Sequence, residues 1–507
     1  MRLTRPGATV TMVGSVPKRA RNSSTTRETM GEIMRQWTRG EVPHNLYVIE
    51  TLHAWLREHE EELLRDYRAM LQIPSVEGAP EPNAPYGAAN RKALDLALSL
   101  CDDSGMTTKD LEGHIGFGEF GAGERLVVSL GHLDVVPTGP GWKHDPFGAE
   151  IDGGYVYSRG AIDDKGPTMA SFYAMRAIQA CCPDLGVRFR QVFGCNEESG
   201  FGCVERYVQT EEAPTYGVAP DSGWPLYHAE KGIANLELSV HLPDKGYDLI
   251  ELTGGQAPNI VIDSCSAKVR VSSEHRPEVE SKLADAWDRN VTYAWEDGNV
   301  LGIFAQGKAA HGSTPFMGDS AATRAIRFLY EIAPVPVKEA WEKFLDMTHP
   351  GGAGLGIAGS DEPSRDLTAN VGLVKVVDGA VEMLVNVRYP VTWTGEKLTG
   401  MCRTYLAKFP FQAELKVTRD SPPLYFPLDH PMVKAIVDVY EKETGERREP
   451  GTMGGGTYAR AIPNTVSIGT GWEGDGDAHQ TDERLKVDHL YKMSRIYAHI
   501  LYRLATL

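Results

Sequence analysis

Short apolar runs that end on a charged residue or a histidine recur along this chain. Residues 125–130 form a run of the kind used by a strand buried on both faces, and it ends on Gly131-His132-Leu133-Asp134. Residues 191–195 are followed by Asn196-Glu197-Glu198, residues 216–219 by Asp221, and residues 465–468 by a Gly/Asp-rich loop that carries His479. Helical spacing alternates with these runs, over 166–182 after Asp163-Asp164-Lys165 and over 202–210 after Glu198. Two earlier helices are predicted, over 46–71, stopped by Ile73-Pro74, and over 88–104. Strand and helix in alternation predict an α/β layer with a mixed, largely parallel sheet. The acidic groups and imidazoles then collect at the carboxyl edge of that sheet, where open α/β sheets bind ligands.

After about residue 232 the texture changes. Residues 235–240, 266–272, 300–306 and 381–388 alternate apolar and polar, as strands with one wet face do. Two helices are predicted among them, over 320–332 and 397–409, and a helix over 432–444 marks the return of the first texture. Residues 31–231 and 427–507 are expected to form one discontinuous domain, with 232–426 inserted into it as a β-rich second domain. A length of 507 residues suits two cores better than one. Residues 1–30 are basic and rich in Ser and Thr, and are expected to be a disordered tail outside the fold.

Charge narrows the partners. Lys and Arg number 52 against 69 Asp and Glu, a net of -17, which argues against nucleic acid and anionic membranes. No apolar run approaches the ~18–20 residues a membrane helix needs. The 7 cysteines are odd in number and scattered, so no disulfide framework is legible and a reducing cytoplasm is the expected compartment. Cys101, Cys195 and Cys265 sit in apolar settings and read as buried thiols.

A histidine or aspartate at one strand end is commonly a loop residue; the same coincidence at four strand ends points to a metal centre. Imidazole and carboxylate donors suit zinc, manganese or cobalt. Arg388 closes an alternating strand, where it could clamp a carboxylate bidentately or lie solvated on the surface. Asn259 and the glycine-rich loop carrying Gly455 and Thr457 could hold a substrate backbone. His311 precedes a turn-like run that would expose its ring. His144, His228, His430 and His489 are expected to be structural, and Trp142 and Trp472 either line the cleft or pack.

The motifs at 131–137, 160–166, 196–200 and 478–479 together resemble the dinuclear zinc peptidases of family M20, which holds carnosinases, aminoacylases, succinyl-diaminopimelate desuccinylases and glutamate carboxypeptidases. The segments at 73–76, 254–259, 310–315 and 454–460 are most similar to the PepV-type bacterial dipeptidases, and the resemblance spans about residue 45 to the end. It implies a zinc peptidase catalytic domain with a ferredoxin-like α+β lid. It implies two Zn²⁺ per chain, with Mn²⁺ or Co²⁺ as possible substitutes. His132 and Asp221 would hold one ion, Glu198 and His479 the other, and Asp163 would bridge both, in a loop whose Asp163–Asp164 peptide is cis. Glu197 would be the general base, Asp134 would hold the His132 ring, and the lid's His311 would stabilise the oxyanion. The activity implied is a cytoplasmic dipeptidase acting on short unblocked peptides, as a monomer or homodimer. An amide hydrolase on N-acyl amino acids is the alternative, and a binding protein with structural metals is a third reading that the adjacent Glu197 disfavours.

Overall fold

The computed structural model describes residues 44–507, apart from Asp297 and from the side chains of residues 44–46. The expected tail over 1–30 lies outside the described residues. The stretch read as one helix over 46–71 is two, α1 (His44–Glu58) and α2 (Glu60–Leu71), parted at His59, whose ring stacks on Trp55 and reaches that residue's carbonyl. Continuous helical periodicity does not reveal such a break, because a single residue leaves the helical dihedrals, His59 at φ -110° and ψ 12°, while the apolar spacing on either side is kept.

Four strands make the centre of a nine-stranded sheet: β1 (Leu126–His132), β2 (Arg188–Gly194), β3 (Tyr216–Ser222) and, much later in the chain, Thr465–Gly469. They lie in the order β2, β1, β3, Thr465–Gly469, and all three pairings are parallel. The flanking pairings are antiparallel, except that the short strand Gly451–Met453 runs parallel to Leu226–Glu230, so the sheet is mixed with a parallel core. Every residue of β1 is buried, which is why its sequence shows no alternation. Helix α3 (Lys165–Cys181) lies against this core with α1.

The second sheet has eight strands, all antiparallel. It includes β4 (Gly232–His241), β5 (Thr368–Val377) and β6 (Ala380–Tyr389), and its far edges are Val291–Glu296 and Gln412–Ser421. Along β4 the buried residues alternate with half-buried ones, Ala234, Leu236, Leu238 and Val240 pointing one way. That apolar face packs under α4 (Ala321–Ile332) and the helices Arg276–Asp285, Lys338–Asp346 and Gly395–Leu406 in a core of its own. The chain then returns through α5 (Pro431–Thr444) to Thr465–Gly469, labelled β7, and ends in α6 (Val487–Ala505), which packs with α3 and α1 in the first core. Among the described residues no helix is long and apolar enough to cross a membrane.

Candidate metal centre and substrate groups

The parallel core delivers its polar groups to one edge. His132 is the last residue of β1, Asn196-Glu197-Glu198 follow β2, Asp221 is the penultimate residue of β3, and His479 follows β7. Gly131 permits a close approach there: a Cβ at that position would collide with Thr168 Oγ1 and Asp164 Oδ2. Asp164 uses that space to accept the His132 N–H at 3.2 Å and the Thr168 hydroxyl at 2.9 Å.

Asp163 is the hub. Its Oδ1 lies 3.1 Å from His132 Nε2 and its Oδ2 lies 3.1 Å from His479 Nε2. His479 Nε2 also lies 3.1 Å from Glu198 Oε2. One carboxylate therefore faces two imidazoles that come from opposite ends of the sequence, and His132, Asp163 and Glu198 hold ligand atoms within 4.8 Å of one another. The Asp163–Asp164 peptide is cis, as the family resemblance implies.

Electrostatics show what this cluster asks for. Burial opposes ionisation of Asp163, but hydrogen bonds from His132 and His479 prevail and hold its carboxyl below the usual range. Hydrogen bonds to Asp163 and Glu198 raise His479 to about 10. Burial alone would keep His132 neutral; the carboxylates of Asp163, Asp134 and Glu197 overcome it and raise its pKa well above the usual value. Glu197 and Asp221 are pushed up by burial and by their carboxylate neighbours. Among the described residues no donor reaches the Asp221 carboxyl, and Asp164 Oδ1 is buried without a partner. An edge so rich in buried carboxylates, with two imidazoles among them, fits hard or borderline divalent cations, which would neutralise the carboxylates and free both rings to act as neutral ligands.

Asp134 is positioned differently from its expected role. The contact that orients the His132 ring is the Asp134 main-chain carbonyl, 2.9 Å from Nδ1; the carboxylate lies 3.6 Å away, beyond a hydrogen bond. That carboxylate instead accepts the Glu197 and Glu198 N–H groups at 3.1 and 3.0 Å. It therefore fixes the loop on which the two glutamates stand.

His311 stands on a loop bridged to Ile260, and Arg388 stands near the end of β6; Arg388 bonds Gly454, which lies close against Ser313 beside His311. The charges of Arg388 and His479 both act on the His311 ring, whose pKa is lowered first by burial and then by these two neighbours. Its Nδ1 is 2.7 Å from the Ser313 hydroxyl. Arg388, at the end of β6, is 5% exposed. Its Nε donates to Asn386 at 2.9 Å and one Nη to the Gly454 carbonyl at 2.8 Å, and among the described residues it has no carboxylate partner. Burial, with Arg460 and Arg419 nearby, lowers its pKa to about 10.

Asn259 is exposed, and its carbonyl accepts Gly312 N–H at 2.7 Å, fixing the turn that presents His311. Gly455 is half-buried in the glycine-rich loop. Thr457 corrects the sequence reading: it is 3% exposed, its N–H and hydroxyl are taken by the fully buried Glu230 at 3.2 and 2.8 Å, and so it anchors the loop and has no polar group left for a substrate. Trp142 and Trp472 pack, the first under Arg159 and the second on Trp224. His144, His228, His430 and His489 are each bonded within the fold, to Asp482, the Phe426 carbonyl, Met432 N–H and Asp475.

Two residues that support the site were given no role by the sequence. Glu483 is 1% exposed, accepts the Ile162 N–H at 2.9 Å and pairs with Arg159 at 2.7 Å, so it pins the loop that holds Asp163. Tyr458 receives the Asn196 N–H at 3.3 Å beneath the Glu197 loop. Their partners lie hundreds of residues away, at Ile162 and Asn196, so spacing along the chain does not point to them.

Comparison with known proteins agrees with this geometry. The profile of Peptidase family M20/M25/M40 matches residues 128–503. YtjP of Bacillus subtilis (strain 168), named for an inferred dipeptidase activity, is 36% identical over 463 residues, which is 88% of this chain and 98% of YtjP. Among solved structures, the Saccharomyces cerevisiae dipeptidase Dug1p superposes with a TM-score of 0.54 at 15% identity, covering 90% of this chain and 99% of its own. Human carnosine dipeptidase 1 gives 0.53 at 16%, covering 91% and 99%. At those identities the two structures speak for the fold alone.

Proposed function

The chain belongs to peptidase family M20 and is a peptide-bond hydrolase, and on that premise we propose that it is a two-metal dipeptidase acting on short unblocked peptides. The observation that carries the proposal is the Asp163 hub: one buried carboxylate facing His132 and His479 at 3.1 Å each, with Glu198 beside it. His132 and Asp221 would hold one divalent cation, Glu198 and His479 a second, with Asp163 shared between them. Zinc suits the donor set, with manganese and cobalt as substitutes. Bound there, the ions would polarise the scissile carbonyl and ease deprotonation of a water at neutral pH.

The protein's own groups do the rest. Glu197 adjoins Glu198 and has a carboxyl whose pKa is raised by burial and its anionic neighbours, a setting for a group that takes a proton from the attacking water and returns it to the leaving amine. Asp134 holds both glutamates through their backbone N–H groups. His311, presented from the loop bridged to Ile260, would stabilise the negative charge developing on the carbonyl oxygen. Arg388, buried without an anion, would receive the C-terminal carboxylate of the substrate. Residues 232–426 would thus serve as a lid over the domain made by 31–231 and 427–507. The seven cysteines are all free thiols, which supports a reducing cytoplasm. Hydrolysis of a free dipeptide against its N-acetylated form, with and without chelator, tests the reading. Loss of activity with chelator and preference for the free dipeptide are expected; preference for the acylated form would make the protein a deacylase.

A further inference from the structure

The chain passes between the two sheets twice, and both passages are short. Lys231 alone separates Leu226–Glu230 of the first sheet from β4, and Pro422 and Pro423 alone separate Gln412–Ser421 of the second sheet from Leu424–Tyr425 of the first. The passages run side by side as an antiparallel ribbon, with Ser421 opposite Ile233 and Leu424 opposite Glu230. Between those two pairs the ladder is interrupted, because proline has no N–H to donate. Carbonyls are left there without a strand partner.

One guanidinium fills the gap. Arg460 Nη2 lies 2.9 Å from the Lys231 carbonyl, 2.7 Å from that of Pro422 and 3.2 Å from that of Ser421. The residue belongs to the helical turn Tyr458–Ala461, whose preceding Thr457 is tied to Glu230 immediately before the first passage. The Lys231 N–H is held by the Met453 carbonyl at 3.0 Å, on the strand that leads into the same loop. One loop of the first sheet therefore grips both passages, and its Gly454 carbonyl also receives Arg388.

We propose that Arg460 is a positioning residue for peptide hydrolysis, which sets the angle between the two sheets by bonding both passages at once and so places Arg388 and His311 over the metal-ligand cluster. A two-stranded ribbon by itself is weakly stable, and domain hinges absorb their rotation in a few residues of this kind. The two N–H donors of Nη2 are shared among three carbonyls, one from the first passage and two from the second, and the length of the arginine side chain carries them there, where a short amide would not reach. Small misplacements matter, since ~1 Å at a reacting centre can reduce the rate ~10²-fold. The role in catalysis rests on the dipeptidase reading, but the effect on geometry does not.

The test is an interdomain distance. Spin labels at Gln72→Cys and Lys408→Cys, both exposed positions, one on each sheet's layer, would be introduced with Cys181→Ser and Cys182→Ser. Distances would be compared in the parent, in Arg460→Ala and in Arg460→Gln, whose single short amide cannot span both passages. The expected result is a broadened distance distribution in both variants, unchanged metal content, and kcat/KM for a dipeptide reduced by about 10²-fold, with the broadening preserved in the absence of substrate. A parent-like distribution in either folded variant overturns the proposal, and lost activity alongside it would place Arg460 at the substrate instead. Broadened distances in a protein that never cleaves dipeptides would overturn only the substrate reading.

Discussion

The two sheets handle polar groups in opposite ways. The first hides its central strands on both faces and gathers carboxylates and imidazoles at their carboxyl ends, where burial and repulsion raise Glu197 and Asp221 while imidazole hydrogen bonds hold Asp163 down. The second keeps a plain apolar face under its helices and turns few charged side chains inward, Arg388 chief among them. On the proposed reading, proton transfer and metal binding would fall to the first sheet, and the substrate carboxylate and oxyanion would be met from the second domain. Changes to the first should strike turnover, and changes to the second should strike substrate choice.

Glu197→Gln gives the sharpest contrast. It keeps the shape of the side chain and removes the proton carrier, so kcat should fall at least ~10²–10⁴-fold while metal content is retained. Metal analysis beside kinetics checks this, and parallel loss of both would move Glu197 among the ligands. Arg388→Ala should act on KM: removing the partner of a buried charge costs on the order of 2 kcal/mol, roughly 30-fold, for dipeptides, and less for tripeptides or dipeptide amides. Kinetics on Ala-Ala, Ala-Ala-Ala and Ala-Ala-amide would decide, and a wild-type enzyme indifferent to the carboxylate would break the division of labour.

Thr457→Val should lower stability by about 1–3 kcal/mol, because it leaves the buried Glu230 short of a donor. Thermal unfolding reads this directly. The smallest effect concerns pH in the metal-stripped protein. His479, raised to about 10 by Asp163 and Glu198, contributes stability that is complete below its unfolded value near 6.5 and is lost as pH climbs through about 10. Glu197 and Asp221, whose carboxyls are raised, work in the same direction once ionised. The stripped protein should melt lower at pH 10 than at pH 7, and the metal-loaded protein should lose less over that range. Equal losses in both forms would show that the cluster is not where the protons leave.

Much of this was legible in the chain itself because each half obeys one rule. Apolar runs ending in His132, Glu198, Asp221 and His479 had only to be placed in one parallel sheet to bring their ends together. Alternation in β4 announced a half-wet antiparallel strand, whereas β6, inside the sheet, is buried on both faces from Val385 to Tyr389 and does not alternate there. The helices Arg276–Asp285 and Lys338–Asp346, the edge strand Gln412–Ser421 and the closing helix α6 were not read, since the first two are short and the strand is largely exposed. The anchoring of Thr457 could not be read at all. A threonine after three glycines looks like a ligand loop, and only the distant Glu230, delivered by a strand more than two hundred residues earlier, reveals its partner.

The place of β7 has a consequence for how the protein is made. It fills the slot between β3 and Leu226–Glu230, yet roughly 240 residues of chain separate it from β3. At about 5–20 residues per second, a ribosome takes on the order of 12–50 s to supply it. During that interval the whole second sheet emerges as a continuous segment with its own core, while the first waits with one edge of β3 open. A nascent chain would then carry a finished lid beside an unfinished catalytic layer, so this bare edge is where chaperones and misassembly would compete.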